Sequence, residues 1–173
     1  TLLLKDYREL EGTFDKLVSI EMIEAVGHQY YDTFFEVCQE RLKPTGAALI
    51  QAITIVDHMY EKARDSVDFI KRYIFPGSCI PSVTILCDSA RKSSDLKLFH
   101  LQDIGEDYAK TLLAWREKFW NNIAEIRELG FDESFIRMWD YYLCYCIAGF
   151  QYRHISDVHM LMTRPLSRLK SPA

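Results

Sequence analysis

Phe14-Asp-Lys-Leu-Val-Ser-Ile-Glu-Met-Ile-Glu-Ala-Val-Gly-His-Gln-Tyr-Tyr-Asp-Thr-Phe-Phe35 decides how the rest of the chain is read. The run Phe14 to Ile20 is short and, from Leu17 on, mostly apolar and β-branched, which predicts a strand buried on both faces. It ends in Glu21-Met22-Ile23-Glu24, so two carboxylates follow the C-terminal tip of a strand. In open α/β sheets the loops leaving those tips frame the ligand crevice. Glu24 is therefore a candidate site residue, with the plainer alternative that its charge complements a helix N-terminus. From His28 to Arg41 apolar residues recur every three to four positions, at Tyr31, Phe34, Phe35 and Cys38 and on to Leu42. That spacing predicts a helix, which Pro44-Thr-Gly46 stops.

Upstream, Thr1 to Lys5 reads as a strand. Downstream, Ala47 to Ile55 is almost wholly apolar, as a central parallel strand should be, with Gln51 the exception. Asp57 to Tyr73 reads as a charged amphipathic helix broken at Phe75-Pro-Gly77. Ser78 to Pro81 is a turn, Ser82 to Arg91 a short helix, and Leu96 to Ile104 a strand. Tyr108, Leu112, Trp115, Phe119, Ile123 and Ile126 trace one helical stripe over Glu106 to Leu129, with Gly130 as its C-cap. Phe135, Met138, Trp139, Tyr142, Cys146 and Phe150 trace a second, before a last strand over Asp157 to Thr163. Strands alternating with helices give an α/β protein.

At 173 residues and 49% hydrophobic, the chain can bury a substantial core. A net charge of -4 with interspersed signs argues against a nucleic-acid partner, since no basic stripe exists beyond the short tail Arg164 to Lys170. Five cysteines without C-x-x-C spacing point to reduced thiols, and His154 and His159, five apart across a helix-to-strand junction, make no metal site. No apolar stretch is long enough for a membrane span. The seven glycines are scattered singly, so no glycine-rich turn that could cradle a nucleotide is present.

Ser19-Ile-Glu-Met-Ile-Glu-Ala-Val-Gly-His28 closely resembles the segment after the fourth strand of cyclopropane-fatty-acyl-phospholipid synthases and mycolic acid cyclopropane synthases. Asp6-Tyr-Arg8, Leu42-Lys-Pro-Thr-Gly46, Tyr73-Ile-Phe-Pro-Gly77 with Pro81-Ser82, Tyr108-Ala-Lys-Thr-Leu112 with Trp115, and Tyr141-Tyr-Leu-Cys-Tyr-Cys146 with Gly149-Phe150 resemble the same family in the same order. The resemblance implies a Rossmann-like S-adenosylmethionine-dependent methyltransferase fold with a seven-stranded sheet in the order 3-2-1-4-5-7-6. The strands read above then correspond to 3, 4, 5, 6 and 7. Residues 1–173 are read as the C-terminal portion of one catalytic domain, lacking the first two strands and the glycine-rich cofactor half. In that arrangement the strand Phe14 to Ile20 leaves an unpaired edge, a template for aggregation.

The same resemblance implies a function. The methyl of S-adenosylmethionine goes to the cis double bond of a phospholipid acyl chain, a proton leaves, and a cyclopropane closes. It implies Glu24, Tyr108 and Cys146 as catalytic residues, a bicarbonate ion held by Ile20 (through its backbone), Glu24, Gln51 and Tyr108, and Tyr7 beside the adenine. Read from spacing alone, Tyr108 and Cys146 are core residues of their helical stripes, whereas Cys144 faces away. Gln51 departs from relatives, which more often have histidine there, and glutamine cannot carry a proton. That departure keeps open a lipid C-methyltransferase that closes no ring. A non-catalytic remnant binding a lipid surface or a partner is the other alternative. Expected surroundings are phospholipid acyl chains at the inner face of a membrane and a peripheral cytoplasmic location, with a monomer and a homodimer both open. Lys71 and Arg72, beside the aromatics of Phe69 to Pro76, would suit a phospholipid surface or, equally, cover a helix end.

Overall fold

A computed structural model describes residues 1–170. By its contacts the chain divides into two units, Thr1–Asp103 with the chain from Asp157 on, and Ile104–Ser156. The first holds a four-stranded sheet, with β1 (Phe14–Ile20), β2 (Leu42–Ile55), β3 (Lys97–Asp103) and β4 (Ile155–Thr163) in the order β1-β2-β4-β3. β1 and β2 are parallel, and β3 and β4 antiparallel. This is the 4-5-7-6 side of the implied order.

One face of the sheet carries the core. Ala48, Ile50 and Ala52 of β2 and Val158, Met160 and Met162 of β4 pack with Tyr31, Phe34, Phe35 and Cys38 of the helix Tyr31–Glu40, all with at most 3% exposure. Leu86 and Ala90, from a helix over Val83–Ser93, join them, and Ser82 caps that helix by accepting from the Ile85 amide. The Tyr31 hydroxyl donates to the Cys79 carbonyl at 2.8 Å, which satisfies the polar end of a fully buried ring.

Two strand readings need correction. Thr1–Lys5 forms no strand, and Leu2 and Leu4 are fully exposed, because no neighbouring strand lies beside this segment among the described residues to complete a ladder. β1 has the expected bounds but is not buried on both faces. Leu17 and Ser19 turn toward the core, whereas Val18 and Ile20 are 62% and 54% exposed. β1 is the sheet's edge. Pro44-Thr-Gly46 does not precede β2 but lies within it, as a bulge: Phe14 pairs with Leu42, yet Lys16 pairs with Ala47. Gly46 is required there, since a Cβ would sit 3.0 Å from the Lys43 carbonyl oxygen and 3.2 Å from that of Asp15.

The helix expected over Asp57 to Tyr73 is three pieces. A 3-10 turn (Asp57–Met59) leads into α-helix Tyr60–Asp65, Ser66 is extended, and a π-helical turn spans Ile70–Ile74. The Lys71 ammonium explains the break. It donates to the carbonyls of Ala63, Arg64 (3.2 Å) and Ser66 (3.0 Å), capping the end of the α-helical piece, so the helix-end role holds for Lys71. Arg72 lies over the Tyr73 ring, 5.5 Å from its centroid.

The second unit is helical. The single helix expected over Glu106 to Leu129 is interrupted at Asn122, giving Gly105–Asn121 and Ile123–Glu128. The Asn122 side chain donates to the Lys118 carbonyl at 2.7 Å, a local bond that competes with helix continuation. The last helix, Glu133–Gln151, begins at an Asp132 cap. Arg116 and Trp120 both donate to Asp140 at 2.7 Å, tying the first helix of this unit to the last. Among the described residues no helix is long and apolar enough to cross a membrane.

Candidate active site

The site candidates of the first unit gather at the C-terminal tips of β1 and β2. After Ile20 the chain turns through Glu21, a non-glycine residue at φ +47°, whose amide still donates to the Gln51 carbonyl at 3.0 Å. A single helical turn, Ile23–Val26, follows. It is anchored by fully buried Ile23 and by the Cys79 amide donating to the Glu24 main-chain carbonyl at 2.8 Å. β1 ends one residue too early to pair the Ile53 amide, and Glu24 Oε1 accepts it instead at 2.5 Å. Glu24 Oε2 is buried and has no hydrogen-bond partner among the described residues. Burial pushes the Glu24 carboxyl up to about 7. The backbone hydrogen bonds pull the other way, and the negative charges of Glu21 and Asp157 add to the rise.

Gln51 is held on three sides. Its Nε2 donates to Asp157 Oδ2 at 2.6 Å and to Glu21 Oε1 at 3.1 Å, and its Oε1 faces His159 Nε2 at 3.2 Å. Because carboxylates only accept, this fixes the amide orientation and makes His159 Nε2 the donor. Asp157 is fully buried, and its Oδ1 has no partner among the described residues. Burial raises it to about 6 against the pull of the Gln51 bond, with Glu21 and Asp103 adding repulsion. The sequence reading takes Asp157 only as the start of a strand and His159 only as half of a rejected metal pair, although a spacing of two on a strand puts both on one face. Ile53 was missed as well, because its contribution is a backbone amide that no side chain advertises.

Ile20 lies in register with Gln51. In that parallel pairing Ser19 and Glu21 bond toward β2, so the Ile20 amide and carbonyl point to the open edge of β1. Tyr108 and Cys146 belong to the helical unit. The Tyr108 ring stacks on Phe150 with centroids 4.6 Å apart, and Cys146, one turn before Phe150, is partly buried, whereas Cys144 is exposed.

Tyr7, 5.9 Å from the Phe34 ring, lines a groove of about 400 Å³ with Ser19, Met22, Phe34 and Cys38. Ser19 Oγ is buried there without a partner among the described residues. An aromatic wall and an unsatisfied hydroxyl fit one flank of an adenosyl group. Both Gln51 amide hydrogens and the Ile53 amide are engaged by the chain's own carboxylates, whereas the Ile20 amide, the main-chain group expected to meet a bicarbonate ion, faces the open edge of β1.

The mycolic acid cyclopropane synthetase family pattern matches residues 1–160. Tuberculostearic acid methyltransferase UfaA1 of Mycobacterium tuberculosis is 39% identical over 148 residues, which is 86% of this chain and 35% of that protein. Cyclopropane-fatty-acyl-phospholipid synthase of Escherichia coli is 38% identical over 168 residues, 95% of this chain and 41% of that protein. The chain thus spans about two fifths of the length of the curated relatives it matches. The crystal structure of mycolic acid cyclopropane synthase CmaA1 complexed with SAH and CTAB superposes with a TM-score of 0.83 at 25% identity, over 93% of this chain and 59% of that one. Sheet order and superposition agree on the S-adenosylmethionine-dependent methyltransferase fold. With the family pattern covering residues 1–160, this chain belongs to the mycolic acid cyclopropane synthetase family.

Proposed function

We propose that the protein transfers a one-carbon unit from S-adenosylmethionine to the cis double bond of an unsaturated phospholipid acyl chain and closes it to a cyclopropane. The observation that carries this reading is Glu24, a carboxyl with one oxygen fixed by a backbone amide, the other buried without a hydrogen-bond partner among the described residues, and an affinity for protons set near neutrality. A base poised near 7 is what removal of a proton from a lipid carbocation at neutral pH calls for. Fixed negative charge beside that cation also stabilises it, and an apolar surround keeps water away.

S-adenosylmethionine, when bound, supplies an electrophilic methyl on sulfonium. Tyr7, Ser19 and Met22 bind and orient the adenosyl side, and Glu21, Gln51 and Asp157 hold the charge and geometry around Glu24. In the same reading Tyr108 and Cys146 contribute from the helical unit, both units belong to one catalytic domain, and the protein works as a peripheral protein, singly or as a homodimer, on acyl chains at the inner membrane face. Lipid mass spectrometry of cells expressing the full-length protein tests this: an acyl chain heavier by one CH2 unit is expected. A branched alkene of that same mass, told from a cyclopropane by its vinylic proton signals in NMR, would replace ring closure by methylation and proton loss alone, and unchanged lipids would overturn the reading.

A further inference from the structure

Gln51 bridges the strand ends that build the candidate site. Its Nε2 donates to Asp157 Oδ2 on β4 at 2.6 Å and to Glu21 Oε1, just after β1, at 3.1 Å, so two carboxylates are gathered on one nitrogen. Like charges so close repel, and the amide holds them only while it keeps this orientation. A carboxamide is nearly symmetrical in shape, and half a turn about its last bond exchanges oxygen for nitrogen. What faces the oxygen therefore matters as much as what faces the nitrogen.

The group facing the oxygen is His159, with Nε2 3.2 Å from Gln51 Oε1. It stands two residues after Asp157 on β4, so one strand supplies a partner for each end of the amide. A turned amide would meet the His159 donor with donors of its own. Neutral imidazole with its hydrogen on Nε2 and imidazolium both carry that hydrogen, so the bond survives protonation of the half-buried ring. The charges bearing on Asp157 are those of Glu21 and of Asp103 at the end of β3. Those bearing on Glu24 are Glu21 and Asp157, whereas Tyr31, which also feels Glu24, is kept protonated by burial.

We infer, resting on the function proposed above, that His159 is a positioning residue: by donating to Gln51 Oε1 it fixes the carboxamide that holds the Glu21 and Asp157 carboxylates together near Glu24. Without that donor the amide is free to turn, and the two carboxylates part. Less negative charge then surrounds Glu24, its affinity for protons falls, and it becomes a weaker base.

The test uses the full-length protein with S-adenosylmethionine and vesicles of a monounsaturated phospholipid, and follows S-adenosylhomocysteine release across the pH range around neutrality. His159→Gln keeps a donor at the reach of Nε2, whereas His159→Asn, one methylene shorter, falls short of Gln51. The glutamine variant should stay within about twofold of wild type in kcat. The asparagine variant should lose about fivefold or more in kcat with KM for the lipid within about twofold, and its pH inflection should lie about half a unit lower. His159→Thr, equally unable to reach, serves as a second such variant and should behave alike. Because the effect runs through Gln51, adding His159→Asn to Gln51→Leu should cost no more than about a further 1.5-fold. Equal rates and inflections for the glutamine and asparagine variants, or an asparagine loss that multiplies in full onto that of Gln51→Leu, overturn the inference while leaving the functional reading intact. No S-adenosylhomocysteine from wild type overturns the functional reading, and the inference falls with it.

Discussion

Glu24 and Asp157 are each held by one oxygen and left bare at the other, and burial raises both above their ordinary carboxyl range, to about 7 and about 6. The folded state therefore binds protons more tightly than the unfolded chain at these positions. Their stabilisation is present in full below the unfolded values, near 4, and is lost as pH rises to about 7, so the protein is less stable at neutral pH than near pH 4 as far as these two groups decide it. Asp157→Asn removes one buried charge, and thermal melts should show a gain of roughly 1–3 kcal/mol at pH 8 that vanishes near pH 4. A loss at pH 8 would mean that the Gln51 bond outweighs burial. Turnover of the full-length protein should rise with pH through an inflection near 7, as Glu24 loses its proton. Glu24 was legible because its position after a strand tip is set by local sequence. That Ile53 and Asp157 lie beside it was not, since the strand spacing shows that Asp157 and His159 share a face but only the pairing order of the sheet brings them near Glu24.

Among the elements, β1 carries the main physical liability. Its outer face shows Val18 and Ile20, and its free edge presents unpaired backbone groups, which together favour pairing with another chain. The 173-residue chain expressed alone should self-associate as its concentration rises, and Val18→Lys should reduce that association in light scattering. A sharp cooperative melt of a monomeric sample would contradict it. Gly46→Ala should destabilise the chain by about 1–3 kcal/mol, since its Cβ meets main-chain oxygens that cannot move aside, and denaturant titration measures it. β1 and the last helix were readable because apolar spacing alone sets them. The misread segments failed for reasons outside that pattern. Thr1–Lys5 needs a neighbouring strand, and the breaks after Asp65 and at Asn122 come from side chains, Lys71 and Asn122, bonding to main-chain carbonyls.

At the scale of the molecule, sheet order, family pattern and superposition agree, and the order β1-β2-β4-β3 follows the 4-5-7-6 part of the implied sheet, with no strand at Thr1–Lys5. Strand order was legible only through that resemblance, because apolar periodicity says which residues form strands and not which strands are neighbours. The chemistry rests on one carboxyl. The most direct measurement compares full-length wild type with Glu24→Gln, by S-adenosylhomocysteine release on unsaturated phospholipid vesicles and by calorimetric binding of S-adenosylhomocysteine. With Glu24 as the base, turnover falls by about 100-fold or more in the variant while ligand binding stays within about threefold. A variant that turns over within about threefold of wild type would contradict the account.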